Sequence, residues 1–182
     1  MVVQERQRLP KHFACLHLRV EMDWLIWCCS GGLSNRHGWL GAMQNTSDAA
    51  TLAGRGMCPD GSKPDGGCYR NVAQVTEWLL ETVKLARGTT LYVATGASLH
   101  ALAPLMGAFD VRLQAPTGRA KKDMFMDYSA ALVQSHVCSL ADRFYGKRAS
   151  SFTREILRIR HNRLQSAGTG LRVPKDAADQ VY

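Results

Sequence analysis

The sequence lacks any apolar run that approaches the roughly 20 residues of a membrane-spanning helix. Its longest candidate is Trp24–Cys29, which is far too short. Basic residues occur near the N-terminus, but no apolar stretch of roughly 7–15 residues follows them, so we expect no secretory signal. The hydrophobic content is 46% and the charged content is 21%, and this balance is typical of a globular protein with a buried core.

Several chemical signatures are also missing. No G-x-S-x-G motif surrounds Ser98, and the turn Thr95–Ser98 has no Walker lysine, so neither a serine nucleophile nor a specific nucleotide is indicated. The six cysteines include no C-x-x-C pair, which argues against structural zinc. Without an export signal we expect reduced thiols and a cytoplasmic location. Cys58 and Cys68 flank a turn-rich segment that could close a disulfide loop in an oxidising compartment.

Acidic residues are scarce relative to basic ones, and the imbalance grows along the chain. The net charge is +8 with a pI of about 9.4. The stretch Arg143–Arg163 holds seven Lys or Arg residues and one acid, Glu155. A basic surface of this density favours a polyanionic partner, most commonly nucleic acid. The alternative is a solvated helix face that only aids solubility.

The patterning divides the chain into three parts. Residues 1–70 are predicted to be an irregular N-terminal segment, in which "LHLRVEMDWLIWCC" reads as a strand before a stretch rich in Gly, Asn and Ser. Residues 71–165 are predicted to be an α/β domain, and residues 166–182 a C-terminal tail.

Within the predicted domain, helices alternate with strands. Asn71 is a candidate N-cap with Gln74 at the third helical position, and apolar residues then recur at helical spacing until Arg87-Gly88. Strands are predicted at 89–94 and 108–115, separated by a short helix that Pro104 limits. This alternation predicts a Rossmann-like parallel sheet flanked by helices.

Two further helices complete the prediction. One covers about 122–135, with a break or short strand at 136–140. The last runs from Ser150-Ser151 to about Gln165 and is a basic C-terminal helix, with Phe152, Ile156 and Ile159 facing inward. Arg154 and Arg158 share its outward face.

The loop after the second predicted strand carries the strongest chemical pattern. In open α/β sheets, ligands bind beyond the carboxyl ends of the strands. Asp123 and Asp127 follow this loop at i,i+4 spacing, which suits a shared Mg²⁺ or Mn²⁺ ion. Arg119, Lys121 and Lys122 precede them and could contact phosphate. The alternative needs no metal, because an Asp in the first turn of a helix is favoured by the helix dipole.

The segment "TTLYVATGASLHALAPLMGAFDVRLQAPTGRAKKDMFMDYSAAL" (about 89–132) resembles the middle of PIN-like ribonuclease domains, including the NYN group. The resemblance implies a Rossmann-like domain that cuts RNA with Mg²⁺ or Mn²⁺. Asp123 matches the family's helix-opening metal ligand, and Asp142 in "SLADRF" lies near its later acidic element. The Asp that normally ends the family's first strand is missing, so a catalytically degenerate relative is the companion hypothesis.

A second resemblance lies in "SLADRFYGKRASSFTREILRIRHNR", which is similar to a helix-turn-helix with its turn at Gly146. It implies a non-enzymatic DNA-binding protein whose Arg154, Arg158 and Arg160 contact the major groove. A basic structural protein of a ribonucleoprotein is the third alternative.

The sequence therefore predicts a protein that acts on nucleic acid, with RNA favoured over DNA and no membrane partner. The preferred hypothesis is a metal-dependent endoribonuclease that hydrolyses phosphodiester bonds. The predicted catalytic residues are Asp123, Asp127 and Asp142, of which the first two are metal ligands. The predicted nucleic-acid contacts are Arg119, Lys121, Lys122, Lys147, Arg148, Arg154 and Arg158.

Overall fold

The computed structural model describes residues 2–20, 22–29, 58, 70–114, 128–147, 150–166 and 180–181. The chain divides into two compact units. The first, here called the sheet unit, comprises Met1–Leu18, Gly88–Ala94 and Phe109–Tyr182. The second, the helical unit, comprises Arg19–Arg87 and Thr95–Ala108. None of the helices in the described ranges combines the length and the apolar character that crossing a membrane would require.

The described part of the sheet unit contains five parallel strands in the order β3-β2-β1-β4-β5. This arrangement, flanked by helices, confirms the predicted Rossmann-like α/β class. The strands are β1 (Ala14–His17), β2 (Thr90–Ala94), β3 (Asp110–Arg112), β4 (Arg143–Gly146) and β5 (Gln180–Val181).

Strand β1 lies at the centre of the sheet and pairs with β2 on one side and β4 on the other. All four of its residues are buried, as expected for a parallel strand that is covered on both faces. The strand predicted at 89–94 is confirmed by β2, whereas the one predicted at 108–115 is shorter and covers only Asp110–Arg112.

In the sheet unit, helix α1 (Val2–Gln7) precedes β1, and helices α5 (Tyr128–Ser139) and α6 (Ser151–Ser166) cover one face of the sheet. Cys15, Tyr92 and Phe144 are register neighbours on β1, β2 and β4, so their side chains point to the same face. They pack in one core cluster with Val137 of α5 and Ile156 of α6. Burial of this apolar surface is the main force that joins the helices to the sheet.

Tyr92 carries a polar atom into this core. Its side chain is fully buried, and its hydroxyl has no hydrogen-bond partner among the described residues. Burial, with a contribution from the nearby Glu5 carboxylate, raises the pKa of the Tyr92 hydroxyl above its usual range, and Arg8 opposes the shift. The folded protein therefore keeps the proton more tightly than the unfolded chain does.

We expect Tyr92→Phe to raise the free energy of unfolding by about 1 kcal/mol, because it removes a buried hydroxyl that gains no hydrogen bond. The wild type should also lose stability as the pH rises above about 10, where an unfolded tyrosine ionises, and the variant should lose less. Urea titrations at neutral and alkaline pH measure both effects. Thr76→Val is the matched control, since its buried hydroxyl does donate to the Val72 carbonyl and its loss should destabilise. A Tyr92→Phe variant less stable than wild type would contradict this account.

The helical unit contains α2 (Met22–Cys29), α3 (Val72–Glu81), a 3₁₀ turn (His100–Leu102) and α4 (Ala103–Met106) in its described part. The capping box at Asn71 and Gln74 is confirmed, with each side chain accepting from the other residue's backbone N–H at 2.9 Å. The prediction that α3 continues toward Arg87 is wrong, because Lys84 adopts a positive φ of 58°. Pro104 does not limit the short helix either; it lies in the first turn of α4, where a missing N–H costs nothing.

The cysteines that the structure describes form disulfides, so the expectation of reduced thiols is wrong. Cys15 of β1 is bonded to Cys138 of α5, with their Cα atoms 5.3 Å apart. Cys29 is bonded to Cys58, which rules out the alternative that Cys58 pairs with Cys68. Cys28 is disulfide-bonded as well. Sequence spacing could not identify these pairs because folding brings distant cysteines together.

Three further predicted elements differ from the structure. The break or short strand predicted at 136–140 does not form, because α5 continues to Ser139. The strand predicted over "LHLRVEMDWLIWCC" ends at His17, and residues Met22–Cys29 form α2 instead. The segment between α5 and α6, predicted to begin a helix-turn-helix, is the buried strand β4. The division at residue 70 stays a prediction, although β1 and α2 both lie before it.

Candidate functional site

The sheet has a topological switch point between β1 and β4, where successive strands are added on opposite sides of β1 although all strands stay parallel. From β1 the chain continues to β2 and β3 on one side of the sheet, and it places β4 and β5 on the other side. Open α/β sheets bind their ligands at such a switch point, beyond the carboxyl ends of the strands. These ends are His17 of β1 and Gly146 of β4. The fold therefore points to this edge of the sheet unit.

His17 is linked at this edge to the first turn of α6. Its Nδ1 lies 2.7 Å from the Thr153 hydroxyl oxygen, and both side chains are buried. The imidazole also packs against the Phe152 ring, with 4.7 Å between the ring centroids. A short, buried hydrogen bond and a ring contact together hold the start of α6 against the end of β1.

Gly146 allows this close approach. A Cβ atom at residue 146 would lie 2.7 Å from the Thr153 hydroxyl oxygen and 2.8 Å from its methyl carbon. These distances are too short for any side chain, so the lack of a Cβ lets the end of β4 touch α6. The same pattern, a strand followed by glycine and then a helix, allows a ligand to approach backbone atoms closely.

Helix α6 begins at Ser151, with four residues between it and the end of β4 at Gly146. The first N–H groups of an α-helix have no carbonyl partner within the helix, and the helix dipole adds a partial positive charge there. Such an end suits an anion, and a phosphate in particular. Lys147 and Ser150, between β4 and α6, are both buried. The prediction that Lys147 is a surface contact for nucleic acid is therefore wrong, because its side chain is only 2% exposed. The arrangement can bind a phosphate group next to His17.

Arg19, the first residue of the helical unit, makes a cation–π contact within that unit. The Arg19 guanidinium carbon lies 5.6 Å from the centroid of a Trp24 ring in α2. Such a contact orients the arginine side chain.

Asp142, the predicted supporting acid of the nuclease, lies at the opposite edge of the sheet. It precedes β4, where its carboxylate accepts a hydrogen bond from the Phe13 N–H and lies 3.2 Å from His12 Nδ1. Its own N–H donates to the Phe13 carbonyl. Asp142 therefore fastens the amino ends of β1 and β4 to each other.

Of the predicted nucleic-acid contacts on α6, Arg154 and Arg158 are exposed, as expected for its outward face, whereas Arg160 is partly buried and donates to backbone carbonyls near the end of α5. Arg154 is on the surface, and Arg158 donates to Glu155 of the same helix at 2.6 and 2.9 Å. This hydrogen bonding lowers the pKa of Glu155 and raises that of Arg158.

The other predicted site residues lie outside the described residues: Arg119, Lys121, Lys122, Asp123, Asp127 and Arg148. Within the part of the chain that the structure does describe, no three His, Cys, Asp or Glu side chains come together as a metal site. The magnesium or manganese site at Asp123 and Asp127 stays a prediction.

His17 and Thr153 were not identified from the sequence, and Gly146 was interpreted only as the turn of a helix-turn-helix. One signal was available, because "FYGKRASSFT" reads as a buried strand, a glycine, a basic turn and a Ser-rich helix start. That order is typical of a phosphate-binding strand-to-helix turn. The helix-turn-helix interpretation missed this signal, because it took the residues before Gly146 as a helix and not as a strand.

Comparison with known families gives one match. The family model for GDP-fucose protein O-fucosyltransferase matches residues 2–163. Comparison with curated proteins gives no match.

The family match overturns the predicted function. The resemblance to PIN-like ribonucleases is wrong, and with it the nuclease activity and the nucleic-acid partner. The alternative DNA-binding role is not supported either, since the supposed first helix contains strand β4. The resemblance misled because a strand, a basic turn and an acid-bearing helix recur at the carboxyl edge of many α/β folds with unrelated functions.

Proposed function

The chain belongs to the GDP-fucose protein O-fucosyltransferase family, and we propose that it transfers fucose from GDP-fucose to a hydroxyl group of a protein. In this reaction the bond between fucose C1 and the phosphate oxygen breaks, and GDP leaves. A new bond joins C1 to the acceptor oxygen, which loses its proton. GDP-fucose is thus the donor substrate, and the acceptor is a protein.

We propose that the donor diphosphate binds at the carboxyl edge of β1 and β4. One observation carries this proposal: the start of α6 lies at the switch point of the sheet, where its Thr153 contacts His17. The N–H groups of the first turn suit the negative charge of a diphosphate, which also interacts favourably with the helix dipole.

The Thr153 hydroxyl has a positioning role in this proposal. It is committed to His17, so it holds the first turn of α6 in register with the end of β1. Without it, the N–H groups of that turn would lose their fixed direction. Preorganised donors bind an anion more tightly than mobile ones, because less ordering is required on binding.

We expect wild type to bind GDP and GDP-fucose, and Thr153→Val to bind GDP about tenfold more weakly, which corresponds to about 1.4 kcal/mol. Calorimetric titration measures both. Thr76→Val is the control, since it also removes a buried helical hydroxyl, but one that bonds only within α3. Absence of GDP binding by wild type would refute the proposed donor site. Equal affinities of wild type and Thr153→Val would refute the role of Thr153.

We further propose that the chain folds in an oxidising compartment. The support is the presence of disulfides in both units, Cys15–Cys138 and Cys29–Cys58, because such bonds form and persist where the thiol pool is oxidised. This proposal replaces the cytoplasmic expectation, which rested on the lack of an export signal. Counting free thiols in protein purified from its natural source, under denaturing conditions, tests it.

A further inference from the structure

The C-terminal end of α5 is held by arginines of α6. The last carbonyls of a helix have no hydrogen-bond donor within the helix. Here guanidinium groups of α6 donate to them. Arg160 donates to the carbonyl oxygens of Ala141 at 2.6 Å and of Cys138 at 3.3 Å, and Arg163 donates to that of Ser139 at 2.7 Å. The basic character of α6 therefore has a structural use within the protein.

Arg160 and Thr153 lie on the same helix, seven residues apart, which corresponds to about 10 Å along the axis. Thr153 fixes one end of this span to His17 of β1. Arg160 fixes the other end to the last turn of α5 at Cys138 and to Ala141, two residues beyond that helix. An α-helix of this length behaves as a rigid rod. A displacement at Arg160 would therefore reach Thr153.

A third link, a disulfide, joins β1 directly to α5. Cys138, whose carbonyl accepts from Arg160, is bonded through its sulfur to Cys15. Cys15 precedes His17 by two residues on β1, so both side chains point to the same face of the sheet. Each of β1, α5 and α6 is thus linked to the other two. The disulfide joins β1 to α5, Arg160 joins α5 to α6, and the His17–Thr153 contact joins α6 to β1.

We propose that Arg160 is a positioning residue of the donor site, acting through Thr153. The inference rests on the proposed function. Apolar packing at Ile156 holds α6 against the sheet, but such packing is non-directional. The planar guanidinium of Arg160 has fixed donor directions, so it sets the position of α6 along its axis. It thereby determines where the first-turn N–H groups meet the diphosphate.

The test compares GDP affinity in Arg160→Met, Arg160→Lys and Arg158→Met by calorimetric titration, at a temperature where each variant is folded by circular dichroism. We expect Arg160→Met to weaken GDP binding about tenfold. Arg160→Lys should recover part of the affinity and serves if the methionine variant does not fold. Arg158→Met is the matched control, because Arg158 is exposed and bonds Glu155 of its own helix; its affinity should equal that of wild type.

A double-mutant cycle separates positioning from general stabilisation. In a Thr153→Val background, Arg160→Met should change GDP affinity by less than about twofold. A lowered melting temperature with unchanged GDP affinity would overturn the proposal, as would the same tenfold loss in both backgrounds. If wild type itself fails to bind GDP, the proposed function falls and this inference with it. If wild type binds and only the Arg160 effect is missing, the inference alone is refuted.

Discussion

Replacing Cys15 and Cys138 together by alanine is expected to lower the free energy of unfolding by about 5 kcal/mol, the largest effect of any change considered. The bond joins residues 123 positions apart, and chain-entropy estimates for a loop of this length give about this value. Both sulfurs lie in the core that joins β1 to α5, so their removal also leaves a small cavity. Urea unfolding followed by circular dichroism measures the loss.

Cys29→Ala with Cys58→Ala is the matched control for this experiment. It removes a bond of separation 29, for which the same estimate gives about 3.6 kcal/mol. It also lies in the helical unit, so its unfolding transition reports on a different part of the chain. A loss below about 1 kcal/mol for the Cys15 and Cys138 pair would show that this disulfide does not constrain the fold.

Gly146→Ala is expected to cost about 1–3 kcal/mol of stability through overpacking and to weaken GDP binding at least tenfold. The new methyl group would lie 2.7 Å from the Thr153 hydroxyl oxygen and 3.0 Å from the Phe144 ring. Thr153 is fully buried and is branched at Cβ, so it has few alternative rotamers. Either it rotates away from His17, or α6 moves away from β4; both disturb the proposed donor site.

Gly107→Ala is the control, because a Cβ there would have its nearest neighbour at 3.6 Å, an ordinary contact. We expect that variant to retain both its stability and its GDP affinity. Adding Thr153→Ser to Gly146→Ala removes the methyl carbon that would clash and should recover part of the lost affinity. Wild-type GDP affinity in Gly146→Ala alone would contradict the proposed contact between β4 and α6 at the donor site.

Local chemistry made several elements predictable. The helix at Asn71 could be located because a capping box is made by residues three positions apart. The β2 strand follows from its β-branched and aromatic residues, and the outward face of α6 follows from helical periodicity. The parallel α/β class followed from the alternation of helices and strands, since parallel strands require a crossover.

The candidate site was not predictable in the same way. In the sequence, His17 looks like an ordinary strand residue. Its role becomes visible only in the fold, where its Nδ1 lies 2.7 Å from the hydroxyl oxygen of Thr153, 136 positions later. Arg160 reads as a surface charge until α5 ends beside it. Asp142 reads as a candidate acid until its carboxylate accepts from the Phe13 backbone. Each role depends on a partner that is far away in the sequence, so local patterns do not predict it.

By itself the sequence determined the short-range features: the cap at Asn71, the amphipathic helix from Ser151, the buried strand β2 and the excess of basic residues. These depend on residues a few positions apart, whose interactions form in any context. The tertiary structure alone decided the central place of β1, the Cys15–Cys138 bond and the meeting of His17, Gly146 and Thr153. The physical reason is that the order of strands in a sheet is set by packing the whole core, and this order brings the distant residues together.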